Sequence, residues 1–115
     1  MPSAAAFVTN YVAVFNAAVA SGDYEPLLAT YRDDAVLRFE NVPPQAASLE
    51  FSGRQAIADA YAQNPPDDQI DLTGEPVDRG EHVTVGFAWR RDQSPGVLDF
   101  VRTDGLISGL TVIFG

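Results

Sequence analysis

The stretch from Val97 to Phe114 reads VLDFVRTDGLISGLTVIF, and its reading decides the fold. Asp104-Gly105 separates two apolar runs, a strong signal for a tight β-hairpin. Two antiparallel strands are therefore expected, 97–103 and 106–114. Both are apolar on both faces. On the expected register one face holds Val97, Val101, Leu110, Val112 and Phe114, and the other holds Leu98, Phe100 and Ile113. Helices of the same chain can cover only one face. The second face, with Leu98, Phe100 and Ile113, is expected to meet another subunit, so the chain should form a homodimer.

One residue in this stretch is costly. Asp99 lies in Val97-Leu98-Asp99-Phe100-Val101, which otherwise reads as a buried strand. Isolating an ionised carboxylate from water costs several kcal/mol or more, so such a group is paired or protonated. The chain has only seven Lys+Arg, and none stands beside Asp99 before Arg102. A protonated acid in an apolar pocket is a hydrogen-bond donor and hence a catalytic part. The same position also suits a strand carboxylate that faces water or bonds a distant Arg.

Upstream of the hairpin, Val83, Val85, Phe87 and Trp89 alternate with Thr84, Gly86, Ala88 and Arg90, the period of a half-buried strand. Ile70 and Leu72 alternate in the same way. Three or four strands are expected after residue 69, with Gln93-Ser94-Pro95-Gly96 as a turn. Before them come helices. Ser3 caps a first helix running to about Ser21, in which Phe7, Tyr11, Val14, Phe15 and Ala18 share a face, and Gly22 ends it. A short helix from Tyr24 to Tyr31 takes Pro26 in its first turn. Asp33-Asp34 turns into a strand, Ala35 to Glu40, stopped at Val42-Pro43-Pro44. Glu50-Phe51-Ser52 reads as a short edge strand. Ser52 caps a third helix to about Gln63, with Ile57, Ala60 and Tyr61 on one face. Helices first and an antiparallel sheet last make an α+β domain.

The 115 residues form one domain, 1–115, without repeats or linkers. A net charge of -9 argues against nucleic acid and against anionic membrane, and it disfavours anionic ligands. A neutral or mostly apolar small molecule is the expected partner. With no cysteine and one histidine, neither a thiolate nor a histidine-rich metal site can form within the chain. The apolar stretch from Ala4 to Phe15 lacks a basic flank, and no segment is expected to span a bilayer, so a cytoplasmic location is expected.

Several stretches in this order resemble the NTF2-like superfamily, in which a curved sheet forms a cone around a pocket closed by helices. They are Tyr11-Val12-Ala13 with Asn16, Gly22-Asp23, Tyr31-Arg32-Asp33-Asp34-Ala35, Ser52-Gly53-Arg54-Gln55-Ala56-Ile57 with Tyr61, Leu98-Asp99, and Phe114-Gly115. The resemblance is closest to the ketosteroid isomerase branch, with SnoaL-like cyclases as cousins. It implies an oxyanion hole made by Tyr11 and Asp99, supported by Tyr31 and Tyr61 through a chain of hydroxyls. It implies apolar walls from Phe39, Val85, Phe87, Trp89, Val112 and Phe114, and no cofactor. The implied activity is enolisation of an apolar ketone of steroid or polyketide type.

The departure concerns the base. The isomerases carry a general-base aspartate on the first strand, where this chain has Phe39. Glu40, the neighbouring carboxylate, is the candidate catalytic base beside Tyr11 and Asp99, although strand alternation faces it away and only a bulge before Val42-Pro43 would turn it inward. The alternative reading is therefore a non-catalytic binding or assembly protein of the same fold. Arg90 and Asp92 have the spacing of a pair used by epoxide hydrolases of this fold, but they flank a turn and suit a solvated hairpin end. His82 is expected as an exposed turn residue.

Overall fold

In the computed structural model, which describes residues 3–115, the Ser3 hydroxyl accepts the Ala6 amide at 3.1 Å and starts the first helix, α1 (Ala4–Ser21). Then follow α2 (Glu25–Leu28), β1 (Tyr31–Val42), β2 (Ala47–Ser52), α3 (Arg54–Gln63), β3 (Ile70–Leu72), β4 (Val77–Arg79), β5 (His82–Trp89), β6 (Pro95–Thr103) and β7 (Leu106–Phe114). The strands form one seven-stranded sheet in the order β2-β1-β7-β6-β5-β3, with β4 also paired to β5. All pairings are antiparallel except β1 with β7. Helices α1 and α3 pack on the inner face. The architecture is the expected α+β one.

Helix α1 buries Phe7, Val8, Tyr11, Phe15 and Ala18, spaced three and four apart. Its 18 residues have a mean hydropathy of 1.4, long and apolar enough to cross a membrane, contrary to the sequence reading. Here that apolar face is spent on the core. Asn16 fixes the helix against the sheet: its side chain donates to the Ile70 carbonyl and accepts the Ile70 amide, both at 2.9 Å.

Local boundaries differ from expectation: β1 runs on to Val42, β2 begins at Ala47 and β6 begins at Pro95, inside the expected turn. Helix α2 ends at Leu28, and Tyr31 opens a strand, because the Ile107 amide donates to the Thr30 carbonyl at 2.8 Å and draws the chain into the sheet. Gly53, rather than Ser52, occupies the cap position of α3, with φ at 92° and its amide donating to the Ala35 carbonyl at 2.7 Å. A left-handed φ of this kind suits glycine. Strand β4 was not expected, so five strands follow α3.

The hairpin holds the largest correction. Asp104 and Gly105 have φ of 54° and 80°, the left-handed pair a tight hairpin turn requires, and Thr103 faces Leu106 as expected. Beyond Arg102↔Ile107 the register slips by one, to Val101↔Gly109, Phe100↔Leu110 and Leu98↔Val112. The extra residue is Ser108, whose hydroxyl donates to the Val101 carbonyl at 3.1 Å. A one-residue slip exchanges the faces. Leu98 and Phe100 therefore join Leu110 and Val112 inside, at 2% and 0% exposure, while Val97, Asp99 and Val101 share the outer face with Ile113. Leu98 and Phe100 cannot form a subunit interface, because the chain's own helices cover them.

Candidate active site

A cavity of about 320 Å³ lies between the inner sheet face and helices α1 and α3. Its volume is in the range of small-molecule sites. Strand alternation supplies the walls. Leu37 and Phe39 point inward from β1, Phe87 and Trp89 from β5, and Val112 and Phe114 from β7. Five of the six expected wall residues line it. The exception is Val85, which is 2% exposed and packs in the core.

The polar end is made by tyrosines. Tyr11 of α1 and Tyr61 of α3 line the cavity, and Tyr31 stands behind them with no exposure. The Tyr31 and Tyr61 hydroxyls are 3.2 Å apart and hydrogen-bonded, and Tyr11 stands near enough to both to share the electrostatics of the cluster. Burial pushes Tyr61 up to about 12 and holds Tyr11 and Tyr31 well above the ordinary phenol value. All three are therefore neutral hydroxyl groups at physiological pH, able both to donate and to accept. The ring of Tyr61 is stacked on Tyr24 at 5.3 Å, and the Tyr24 hydroxyl donates to the Pro66 carbonyl at 3.2 Å.

Asp99 is not part of this group. Its carboxylate accepts from the Thr84 hydroxyl at 3.4 Å and lies 3.9 Å from His82 Nδ1, with its side chain 39% exposed on the outer face. The expectation that it converges with Tyr11 is corrected by the Ser108 bulge. The inward residue next to it is Phe100, whose ring meets that of Tyr11.

Glu40 is also outside. A bulge does occur at the end of β1, where Glu40 and Asn41 together oppose Ser48. Asn41 takes the extra turn, with φ at 58°, and it is Val42 that swings into the cavity. Glu40 stays exposed, opposite Ile113 on the outer face. Phe39 fills the inward position, against Phe51 and Phe114.

The secondary candidates resolve as surface groups. The Arg90 guanidinium donates to Asp71 at 2.8 Å, and that bond holds the Asp71 carboxyl below its usual value. Asp92 accepts from the Ser94 hydroxyl and amide, so the two do not form a joint site. His82 is exposed. Among the described residues no cluster of three or more His, Asp or Glu could hold a metal ion.

Sequence reasoning missed Phe15, Leu49, Phe51, Gln63 and Asn64, all of which line the cavity. Leu49 and Phe51 had a signal, the alternation across the edge strand. Gln63 and Asn64 had none, because the end of α3 faces the cavity only through its packing.

No family model and no curated protein matches the chain. Solved structures do. An NTF2-like protein of unknown function from Mesorhizobium loti is 20% identical, with a TM-score of 0.66, over 100% of this chain and 96% of the other. A candidate ketosteroid isomerase from Kribbella flavida is 22% identical, with a TM-score of 0.66, over 97% and 77%. A candidate polyketide cyclase from Xanthomonas campestris pv. campestris is 22% identical, with a TM-score of 0.62, over 98% and 93%. These likenesses span nearly the whole chain: the chain has the NTF2-like fold.

Proposed function

We propose that the cavity binds a small, neutral, mostly apolar molecule and holds one of its oxygens against the hydroxyls of Tyr11 and Tyr61, without a general base from the protein. One observation carries this reading: the cavity is lined by tyrosine hydroxyls and two amides, with no carboxylate or imidazole among them. A molecule without charge loses little on leaving water, whereas an anion would meet a chain of net charge -9 and no cation in the lining. The oxygen is then the orienting group and the aromatic walls supply the affinity.

A second reading is enolisation of a ketone. The set Tyr11, Tyr31 and Tyr61 favours it, since neutral hydroxyls backed by one another can stabilise a developing oxyanion. Proton abstraction would then fall to water, at a rate lower by the ~10²–10⁴-fold a positioned base contributes. For a homodimer, the outer-face residues Val97, Val101 and Ile113 remain as support, and a cytoplasmic location fits a chain without cysteine.

The test is a titration with a four-ring phenolic steroid and a two-ring naphthol. It is followed through the emission of Trp89, the chain's one tryptophan and a wall of the site. An absorbance assay on a β,γ-unsaturated ketosteroid follows. Binding with no turnover above solution background is expected. Turnover at enzymatic rates would overturn the first reading in favour of the second, and failure to bind either probe would remove both.

A further inference from the structure

Two stacked rings close one end of the cavity, and a second space lies behind them. The centroids of Trp89 and Phe114 are 5.9 Å apart, with planes at 23°. Both rings line the site, and both also line a neighbouring cavity of about 360 Å³ walled by Pro43, Pro44, Ser94 and Pro95. Tyr11, Tyr61, Phe51 and the other inner residues do not reach that second space. The two cavities share these rings as a common wall.

The wall is braced. Phe87 meets Trp89 edge-on at 5.4 Å, and Phe39 leans on Phe114 at 6.4 Å. The backbone is held as well: the Trp89 amide donates to the Ser94 carbonyl at 3.0 Å, and Asn41 Nδ2 donates to the Phe114 carbonyl at 2.7 Å. The polar side chains of the second cavity are already engaged, Asn41 with that carbonyl and Ser94 with Asp92. A ligand reaching past the rings would therefore be held there by apolar contact.

We propose that the Trp89–Phe114 stack is the length stop of the binding site and so decides how extended a ring system the site accepts. This rests on the reading of the cavity as a site for a neutral, apolar molecule whose oxygen meets the tyrosines. With the oxygen end fixed at Tyr11 and Tyr61, added rings must grow toward the stack. Removing one ring joins the two spaces, and longer molecules gain buried surface that shorter ones cannot use.

The experiment compares a two-ring naphthol with a four-ring phenolic steroid, each followed by its own emission so that Trp89 can be replaced. In Trp89→Ala the affinity ratio of the four-ring over the two-ring probe should rise by about tenfold or more relative to wild type, as expected when several more carbons are buried. Trp89→Phe keeps a ring at the stop and should leave the ratio near wild type. Phe51→Ala changes only the inner wall and should weaken both probes without raising the ratio. An unchanged ratio in Trp89→Ala would overturn the proposal. If wild type binds neither probe, the reading of the site fails, and the stop is then judged from a crystal structure of Trp89→Ala. One continuous cavity supports it. A Phe114 or Phe39 ring collapsed into the gap, leaving two separate cavities, refutes it.

Discussion

Phe100 meets the ring of Tyr11 edge-on, with centroids 5.0 Å apart and planes at 74°. Its neighbour Asp99 faces the opposite side of the sheet, toward Thr84 and His82. The acid that would complete an oxyanion hole is thus on the wrong face by one residue, and an aromatic ring packs on the tyrosine in its stead. The tyrosine cluster is left as the polar end of an apolar site.

Asp99→Asn should leave probe affinity within about twofold, because surface substitutions away from special contacts stay within about 0.5 kcal/mol. Tyr11→Phe removes a hydroxyl that lines the cavity and should weaken a phenolic probe by ~0.5–1.5 kcal/mol, the net value of one hydrogen bond. Isothermal titration checks both. An Asp99→Asn loss as large as that of Tyr11→Phe would mean the carboxylate does reach the ligand.

Tyr31→Phe tests the hidden member of the cluster. Its hydroxyl is fully buried, so its loss leaves the Tyr61 hydroxyl one partner short at a cost of about 1–3 kcal/mol. Urea unfolding should show the lower midpoint with an unchanged slope. A wild-type midpoint would show that the cluster contributes nothing to stability.

Alkaline pH should unfold the protein through the same hydroxyls. Phenols of the unfolded chain ionise near pH 10, while folding raises Tyr61 to about 12 and Tyr11 and Tyr31 well above the ordinary value by burial. Below about pH 10 both states keep these protons and stability is unaffected. Above it the unfolded state releases protons that the folded state retains, so stability falls as pH rises from about 10 toward 12 at ~1.4 kcal/mol per unit per tyrosine, and the share of Tyr61 levels off near 12. In an ultraviolet phenolate titration Tyr24, the least buried, should ionise first, and the other three only as the fold is lost. Four independent transitions near pH 10 would contradict this, since free phenols ionise there.

Phe39→Asp would install a carboxylate where the wall now has a ring. If the tyrosines can stabilise an oxyanion, ketosteroid isomerisation should rise from background by up to ~10²–10⁴-fold, the contribution of a positioned base. The protein should lose stability, since even Phe→Ala in a core costs about 3–5 kcal/mol. A folded variant that binds the phenolic probe yet shows no gain would count against the enolisation reading.

Arg102→Met probes the charge buried beneath α1. The guanidinium is 5% exposed, lies 5.6 Å from the Phe7 ring and donates to the Gly80 carbonyl at 3.3 Å and to Asp78 at 3.4 Å. Methionine keeps the packing but drops the hydrogen bonds, at an expected cost of about 1–3 kcal/mol. Thermal unfolding measures it, and a raised midpoint would show that desolvation of the charge outweighs its bonds.

Much of the fold was legible because each signal was local. Ser3 and Gly22 bound α1, the alternation from Val83 to Trp89 marks β5, and Asp104-Gly105 sets the hairpin turn. The tyrosines were legible as well, since helical spacing puts Tyr11 and Tyr61 on buried faces. Where α2 gives way to β1 was not, because Tyr31 is drawn into the sheet by Ile107, a partner far along the chain.

The sequence by itself determined the order of the helices and of every strand but β4, the aromatic character of the cavity and the absence of a carboxylate at position 39. Only the tertiary structure decided which face Asp99 and Glu40 occupy. Strands apolar on both sides carry no internal mark of which side is inner, so the phase rests on register. Here two bulges set it: Ser108 shifts β7 by one against β6, and Asn41 turns Val42 rather than Glu40 into the cavity. Ser108-Gly109 inside an apolar run was the available hint, since glycine in a strand interior often marks a bulge. Whether it slips the register depends on the pairing of both strands and the helix packed on them, and these partners meet only in the folded chain.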